Sequence, residues 1–297
     1  MKRILESLFF SLIVCCLLYG DSIPKNTTTD SNYFYHENTA LYFGNPSNAE
    51  NREDFPDNYL MEKKQFSLSY NNTTLNPNWV AWHLCSEDIG DTNRKNTFRP
   101  DTELPNNWYA VRQTDYKFPA YGFDRGHICP SADRTSSNED NSMTFLMTNM
   151  VPQTPDNNRI VWVALENFER DLVHKGNEVY IIAGPLGKGG TSDKGYFEEI
   201  PVMTNDGKEL AITIPAYTWK ILLIIPDGND DFSRVTTNTQ ILAVCVPNKK
   251  GCGRNGSWQQ YICSVNYIEE RTGYDFFDKL PDELEEILEE KIYKIDK

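Results

Sequence analysis

The feature that most constrains this fold is a row of side chains spaced four residues apart between residues 156 and 174. Four residues of α-helix exceed one turn by about 40°, so such side chains form a slowly winding stripe on one side of a helix. The stripe consists of Asn158, Trp162, Glu166 and Arg170. Apolar residues that would anchor the helix in a core lie between them, at Val161, Val163, Leu165 and Phe168. The pattern predicts a helix whose polar side lies beside packed structure.

A second polar segment precedes this helix and carries the run Asp124, Arg125, Gly126 and His127. We expect it at a strand end that turns into a loop. A neutral imidazole can take a proton from water near pH 7, and an Asn carbonyl is a hard oxygen ligand suited to Mg²⁺. Each element also has a structural explanation without catalysis. A loop His is usually structural, and a Glu–Arg pair one helical turn apart is usually a solvated salt bridge. The chain has only 4 His, so the occurrence of both elements, the Asp-Arg-Gly-His run and the polar stripe, favours phosphodiester chemistry.

These residues resemble the DNA/RNA non-specific endonuclease family, whose members have a ββα-metal finger active site. The resemblance rests on the Asp-Arg-Gly-His run, on residues 148–153, and on the stripe of Asn, Trp, Glu and Arg. It extends upstream to Arg94 and residues 98–101, and downstream to residues 179–185 and 272–277, so it covers about residues 65 to 290. The family implies a Mg²⁺-dependent endonuclease, with Mn²⁺ as a substitute, that hydrolyses DNA and RNA to 5′-phosphate and 3′-hydroxyl ends.

Residue chemistry and the resemblance assign the same central roles. His127 is the general base that deprotonates water, and Asn158 is the direct protein ligand to a largely hydrated Mg²⁺, which bridges the phosphate and the leaving 3′ oxygen. Glu166 leans back toward Asn158 and would orient metal-bound waters. Arg94 is the candidate for stabilising charge on the phosphorane.

Three further candidate site residues keep alternative roles. Arg125 and Arg170 either assist Arg94 or hold the scaffold, and for Arg170 a buried pair with Glu166 is the structural alternative. Asp124 either fixes its loop or contacts a metal-bound water. Asn149 is either a group behind the metal site or a turn residue, and the turn is slightly favoured.

Two other functions are alternatives to a nuclease. One is an inactive relative that serves as a binding module, which the retained His127, Asn158 and Glu166 disfavour. The other is a hydrolase of another phosphoester, such as a nucleotide or a phospholipid. Digestion of plasmid, RNA and a phosphomonoester, with and without EDTA, separates these alternatives.

The formal net charge is −14 at pH 7, whereas phosphate-binding proteins are usually basic. Some of the acidity clusters near the C-terminus, at Asp282, Glu283, Glu285, Glu286, Glu289 and Glu290. The site region instead carries Arg94, Arg99, Arg125, Arg134, Arg159 and Arg170. We therefore expect the acidity to weaken binding and to sharpen its dependence on Mg²⁺ and salt, without excluding nucleic acid.

Residues 1–20 have the charge, apolar and small-residue order of a secretory signal peptide, and their apolar run is short for a transmembrane helix. A lipoprotein modified at Cys15 or Cys16 is the weaker alternative. We expect a secreted or periplasmic protein with no membrane contact after signal removal, and we leave a homodimer open. Residues 21–64 are expected to be a loosely ordered leader, and residues 65–297 to form the endonuclease domain.

Five cysteines follow the signal segment, and export favours disulfides. Cys252 and Cys263 flank a polar loop and are the favoured pair. Cys245 lies in an apolar run, where a buried free thiol is the alternative. Zinc is disfavoured, because no closely spaced cysteine pair has a matching His partner.

Period-two and apolar runs predict strands, with a turn at 71–74 between the first two. The predicted strands cover residues 66–70, 79–84, 178–183, 209–214, 217–225 and 240–246. Three helices are predicted, at 156–174, 264–272 and 281–293. Runs of strands with few helices between them favour an α+β fold with a mostly antiparallel central sheet flanked by helices.

Overall fold

The computed structural model describes residues 39–254 and 257–295. The predicted signal peptide, residues 21–38 of the predicted leader and the Cys15 and Cys16 lipoprotein alternative lie outside these residues. Among the helices that are described, none is both long enough and apolar enough to cross a membrane.

Thirteen strands and six α-helices run through the described residues. The strands are β1 Tyr59–Glu62, β2 Ser67–Asn71, β3 Asn76–Leu84, β4 Asp124–His127, β5 Met150–Gln153, β6 Asn177–Leu186, β7 Gly190–Ser192, β8 Gly195–Phe197, β9 Glu199–Met203, β10 Glu209–Thr213, β11 Tyr217–Pro226, β12 Gln240–Pro247 and β13 Ile262–Cys263. The α-helices are α1 Phe118–Tyr121, α2 Asn138–Met143, α3 Val163–His174, α4 Asp231–Arg234, α5 Val265–Thr272 and α6 Asp282–Glu289.

The centre of the molecule is a seven-stranded sheet in the order β1-β2-β3-β6-β11-β12-β13. All of its strand pairs are antiparallel, and helices accompany it, so the predicted α+β class is confirmed. The strand predicted at 209–214 forms as β10, but it pairs with β9 in a separate two-stranded sheet. Its alternating pattern predicted a strand correctly and could not specify the partner.

Both faces of the central sheet are buried under apolar clusters. Successive side chains of a strand point to opposite faces, so neighbouring residues enter different clusters. On β3, Trp82 enters one apolar cluster and Ala81 the other. On β11, Leu222 joins the first cluster and Leu223 the second. Helix α3 packs on the face of the first cluster through Leu165, which fixes where its polar side can lie.

The predicted loosely ordered leader is wrong for residues 39–64, the part of it that the structure describes. Strand β1 pairs with β2 at the edge of the central sheet. Leu41 and Phe43 are buried in the second cluster, with 2% and 4% of their surface exposed. The high content of Asn and Asp in this segment predicted disorder, but a few of its apolar residues pack against the sheet.

The predicted disulfide between Cys252 and Cys263 does not form, and all five described cysteines are free thiols. Cys252 is buried in the first apolar cluster, whereas Cys263 packs against the second. The two thiols therefore lie on opposite sides of the sheet, out of reach of the short separation that a disulfide requires. Cys245 is a partly buried free thiol beside the second cluster.

Candidate active site

A β-hairpin followed by a helix carries the candidate site. Strands β4 and β5 pair antiparallel, with His127 opposite Met150 and Gly126 opposite Val151. The Asp-Arg-Gly-His run was predicted at a strand end that turns into a loop; the whole run is strand β4, which ends at His127. Glycine at position 126 leaves room for the side chain of Gln153, because a Cβ there would lie 1.8 Å from its Oε1. The order strand, strand, helix is the predicted ββα arrangement.

The helix after this hairpin is not uniformly α-helical. Residues Asn157–Trp162 form a π-helical turn, and α3 follows it. The Asn157 amide is fully buried; it accepts a hydrogen bond from Gln153 at 3.0 Å and donates one to Thr218 at 3.0 Å. The wide turn draws Asn157 inward and leaves Asn158 half-buried beside β4. The even four-residue stripe is therefore interrupted between Asn158 and Trp162. Single π-helical turns within α-helices are frequent at functional sites.

Asn158 is held by Asp124, three residues before His127 on β4. Its Nδ2 donates to Oδ2 of Asp124 at 3.0 Å, and Arg159 binds the same carboxylate with two hydrogen bonds of 2.8 and 2.6 Å. Because an ionised carboxylate only accepts hydrogen bonds, the Asn158 amide must turn its nitrogen toward Asp124. The carbonyl oxygen of Asn158 then faces away from Asp124, where it can serve as a ligand.

His127 lies in an aromatic and cationic pocket. Its ring contacts Phe145 and Phe98, with centroid separations of 4.8 and 5.5 Å. Burial lowers the pKa of His127 well below its ordinary value, and the charges of Arg94 and Arg125 lower it further. The imidazole is therefore neutral at neutral pH. Its Nε2 is buried and has no hydrogen-bond partner among the described residues, so it can accept a proton from a bound molecule.

Two arginines flank this imidazole. Arg94 donates to Ser131 at 2.9 Å and stacks over Phe145 at 4.9 Å from the ring centre. Arg125 donates to the carbonyl of Gln113 at 3.0 Å and stacks over Phe98 at 4.4 Å. The aromatic faces hold both guanidinium groups, and Nε of Arg125 is buried without a partner among the described residues. Such groups are suited to an anion that brings its own acceptor oxygens.

Glu166 is buried, with 9% of its surface exposed. Burial raises the pKa of Glu166 to about 7, although Lys220, Arg170 and Arg94 act in the opposite direction. Arg94 therefore interacts electrostatically with both His127 and Glu166, which places these predicted site residues in one neighbourhood. A carboxylate whose ionisation is this costly gains most from a nearby cation.

Arg170 does not pair with Glu166 as its structural alternative predicted. Its guanidinium donates to Asp133 at 2.7 Å and to Asn167 at 2.6 Å. Asp133 is fully buried and also accepts a hydrogen bond from Trp82 at 3.0 Å. Arg170 thus compensates the charge of Asp133 and anchors α3 to the sheet.

Asn149 has the role that was slightly favoured for it, that of a turn residue, and it fixes the backbone after His127. Its amide donates to the carbonyls of Cys129 and Thr144, and it accepts from the N–H of Cys129. Arg134, which was counted among the basic residues of the site, is buried and donates to three backbone carbonyls. It stabilises the scaffold and cannot meet a phosphate in this conformation.

Sequence reasoning missed a buried ion pair beneath the site. Lys220 lies 2.9 Å from Glu169, and both side chains are fully buried. The ammonium group also lies over the rings of Trp82 and Trp162, at 5.1 and 4.6 Å from their centres. A signal was present, because Lys220 is the only charged residue within the apolar strand β11.

A surface cleft borders the hairpin on its basic side. Lys117, Asp124, Arg125 and Arg159 contribute to its lining, so an extended anionic chain would meet cations beside Asn158. Three clusters of His, Cys, Asp and Glu elsewhere in the described residues could hold a metal ion. None of the three includes a predicted site residue.

Comparisons with known proteins agree with this geometry. A nuclease from Nostoc sp. is 42% identical to this chain over 282 residues, which cover 95% of the chain and 94% of that protein. The mitochondrial nuclease EXOG of Danio rerio is 33% identical over 224 residues, covering 72% of this chain and 59% of that relative. The structure resembles a chain in the crystal structure of the EndoG/EndoGI complex with a TM-score of 0.61, covering 82% of this chain and 91% of the other. That likeness, at 21% identity, shows the fold alone.

The DNA/RNA non-specific endonuclease family model matches residues 44–283. This match covers the ββα hairpin and helix, the Asp-Arg-Gly-His strand and all of the predicted site residues. The chain therefore belongs to the DNA/RNA non-specific endonuclease family.

Proposed function

We propose that this nuclease hydrolyses phosphodiester bonds of both DNA and RNA with His127 as the general base and a Mg²⁺ ion held by Asn158. The observation that carries the proposal is the environment of His127: a buried, neutral imidazole with an unpartnered Nε2, flanked by two guanidinium groups. A neutral imidazole can take the proton of an attacking water, and the guanidiniums can bind the phosphate that is attacked.

The residues present suit a hydrated hard cation. The contact with Asp124 directs the Asn158 carbonyl oxygen away from the carboxylate, and carbonyl oxygen is a ligand type that Mg²⁺ accepts while it retains several waters. Glu166 supplies a carboxylate that can accept hydrogen bonds from such waters. When bound, the ion would neutralise charge on the phosphate and on the leaving oxygen.

The remaining residues position the chain and stabilise charge. Arg94 and Arg125 are already oriented by Phe145 and Phe98, so little conformational entropy is lost when they bind phosphate. Asp124 is a positioning residue, because it acts through Asn158 and Arg159. Arg170 belongs to the scaffold through Asp133.

The same chemistry predicts the products. Water attack requires no 2′-hydroxyl, so DNA and RNA are both substrates. The bond between phosphorus and the 3′ oxygen breaks, which leaves 5′-phosphate and 3′-hydroxyl ends. The contacts proposed involve backbone phosphate alone, and cleavage is therefore largely independent of sequence.

Export to the periplasm or the medium is also proposed, supported by the signal-like order of residues 1–20. A homodimer remains a proposal that light scattering on the purified protein would test.

Digestion of supercoiled plasmid and of RNA tests the proposed chemistry. EDTA should abolish cleavage and Mg²⁺ or Mn²⁺ should restore it, while Asn158→Ala should remain inactive in excess metal. His127→Ala should lose about 10²- to 10⁴-fold in rate, the usual contribution of a general base. Because the pKa of His127 is lowered, the acid limb of the wild-type pH profile should lie below the ordinary His value near 6.5.

The matched control is His174→Ala, since His174 lies in the last turn of α3 and is exposed. It should retain wild-type activity, and circular dichroism should show that both His variants are folded. Full activity of the wild type in EDTA, or 3′-phosphate ends on the products, would contradict the mechanism.

A further inference from the structure

The segment before strand β4 presents one aromatic ring to solvent beside three that pack inward. Tyr116 and Phe123 are buried in a third apolar cluster, and Tyr121 packs against the same cluster. Phe118, the first residue of the short helix α1, has 43% of its surface exposed. The flanking aromatic residues therefore hold this turn in place, while the ring of Phe118 stays accessible to a ligand.

Backbone contacts also fix the turn that carries Phe118. Lys117, immediately before it, has φ of 43° and ψ of 48°, in the left-handed region that residues other than glycine rarely adopt. The hydroxyl of Ser192 donates to the carbonyl of Tyr121 at 2.6 Å, and the N–H of Gly122 donates to the carbonyl of Phe118 at 2.7 Å. An aromatic ring on such a fixed turn loses little conformational freedom when a ligand stacks on it.

A fixed guanidinium group accompanies this ring. Arg159 lies over the ring of Phe118, with its Cζ 5.8 Å from the ring centre. Two hydrogen bonds to Asp124 hold this guanidinium, although 61% of the Arg159 side chain is exposed. Phe118 and Arg159 both line the surface cleft on the basic side of the hairpin, whose volume of about 470 Å³ is typical of ligand sites. The cleft therefore offers an aromatic ring and a cationic plane next to each other.

The cleft is continuous with the candidate active site through shared residues. Asp124, which binds Arg159, also accepts a hydrogen bond from the Asn158 amide at 3.0 Å. Arg125 lines the cleft and also interacts electrostatically with His127. A nucleic-acid strand whose phosphate lies between His127 and Asn158 would therefore have an adjacent nucleotide at this cleft.

From this arrangement we propose that Phe118 and Arg159 form a subsite for an unpaired nucleobase next to the phosphate that is cleaved. The inference rests on the proposed hydrolysis of phosphodiester bonds, and it adds which form of the substrate Phe118 selects. In proteins that bind single strands, bases stack on aromatic rings with added cation–π contributions from Arg, and the stacking tolerates any sequence because every base has a π-face. Lys117 also lines the cleft and adds positive charge for the phosphate backbone.

Duplex nucleic acid cannot use this subsite without distortion. The faces of paired bases are covered by their neighbours in the stack, and a base reaches a protein ring only after it is unpaired and unstacked. The phosphate contacts of Arg125 and the roles of His127 and Asn158 are available to both forms, so duplex cleavage does not require Phe118. Phe118 is therefore a specificity residue that raises the efficiency of cleavage on single strands.

Cleavage of one labelled oligonucleotide without self-complementary sequence, as a single strand and as a blunt duplex, tests the inference. In Phe118→Ala, kcat/KM for the single strand should fall about 5- to 150-fold, the contribution of one base–aromatic stack. For the duplex it should fall less than about threefold, because paired bases do not reach the ring. Phe118→Tyr should keep the wild-type ratio of the two values. Phe118→Leu keeps apolar surface but lacks a flat ring, so it should behave like Phe118→Ala.

The matched control is Phe55→Ala. Phe55 is similarly exposed, at 39%, and Arg52 lies over its ring at 4.5 Å from the centre. Two hydrogen bonds to Asp54 hold that guanidinium. Phe55 is not among the described residues that line the cleft, so Phe55→Ala should keep both wild-type kcat/KM values. If Phe118→Ala fails to fold, Phe118→Leu carries the test.

A binding measurement in the His127→Ala background makes the result independent of catalysis. Fluorescence anisotropy should show that adding Phe118→Ala raises Kd for the single strand about 5- to 150-fold. The slope of log Kd against log salt should stay unchanged, because stacking releases no counterions.

Three results would overturn the proposal: an unchanged ratio of single-strand to duplex kcat/KM in Phe118→Ala, an equal loss on both substrates, or a wild-type ratio in Phe118→Leu. If the wild type cleaves neither substrate, the proposed function fails, and the anisotropy measurement still decides whether Phe118 binds an unpaired base. Failure of the Phe118 variants alone leaves the proposed hydrolysis intact.

Discussion

Replacing Lys220 by Met tests how the buried ion pair supports the active-site helix. Lys220 and Glu169 are both fully buried and lie 2.9 Å apart. Methionine fills a similar volume and keeps contact with Trp82 and Trp162, so the main loss is the charge. Glu169 would then remain in the core without its cation.

The expected cost follows from this burial. Breaking a buried pair by removing one partner costs about 3–5 kcal/mol, because the other charge stays desolvated. For a domain of this size that corresponds to a fall in Tm of roughly 6–20 °C. Burial already raises the pKa of Glu169 even beside Lys220, so a proton can neutralise Glu169 in the variant. The destabilisation should therefore be smaller at acidic pH and grow as pH rises.

Thermal or denaturant unfolding at several pH values measures this effect. The control is Lys188→Met, because Lys188 pairs with Glu199 at the surface, where both side chains are nearly half exposed; its cost should be at most about 1 kcal/mol. The double replacement Lys220→Met with Glu169→Leu should recover much of the lost stability. A Lys220→Met variant as stable as Lys188→Met at every pH would refute the reasoning.

Further predictions concern the hairpin and the carboxylates of the site. Gly126→Ala would bring a Cβ to 1.8 Å from Gln153, and the resulting displacement of β4 should lower kcat by about 10²-fold in plasmid digestion; unchanged kcat would show that the strand can yield. Glu166→Gln should lower activity. It should leave the protein at least as stable near pH 8, because the pKa of Glu166 is raised to about 7 and the stability that its protonated form contributes is lost as pH rises through that value. A large fall in Tm at pH 8 would contradict the argument from burial. Asp124→Ala should weaken Mg²⁺ activation about 10- to 100-fold, measured by titration of activity with Mg²⁺, since Asn158 loses its positioning acceptor; an unchanged Mg²⁺ dependence would remove Asp124 from this role.

Local patterns predicted most of the secondary structure. The runs at 79–84, 217–225 and 240–246 are strands β3, β11 and β12, and the helix predicted at 264–272 is α5. These predictions succeeded because the side-chain period depends on neighbours in sequence. The prediction of a loosely ordered segment failed at Leu41 and Phe43, because their burial depends on a surface made by distant strands.

The pairing of cysteines and charges could not be read from spacing. Cys252 and Cys263 are close in sequence but lie on opposite faces of the sheet. Arg170 is one helical turn from Glu166, but it pairs with Asp133, which lies near it only in the folded chain. Partner choice is settled by which groups share a desolvated space, and sequence distance carries little information about that.

The sequence by itself determined which chemical groups the candidate site offers, because the residue types of His127, Asn158, Glu166 and Arg94 supply an imidazole, a carbonyl oxygen, a carboxylate and a guanidinium. Tertiary structure alone decided how these groups are tuned. Phe98 and Phe145 bury His127 and lower its pKa. The π-helical turn and Asp124 orient Asn158. Such tuning depends on desolvation and on contacts between distant segments, which come into existence only when the chain packs.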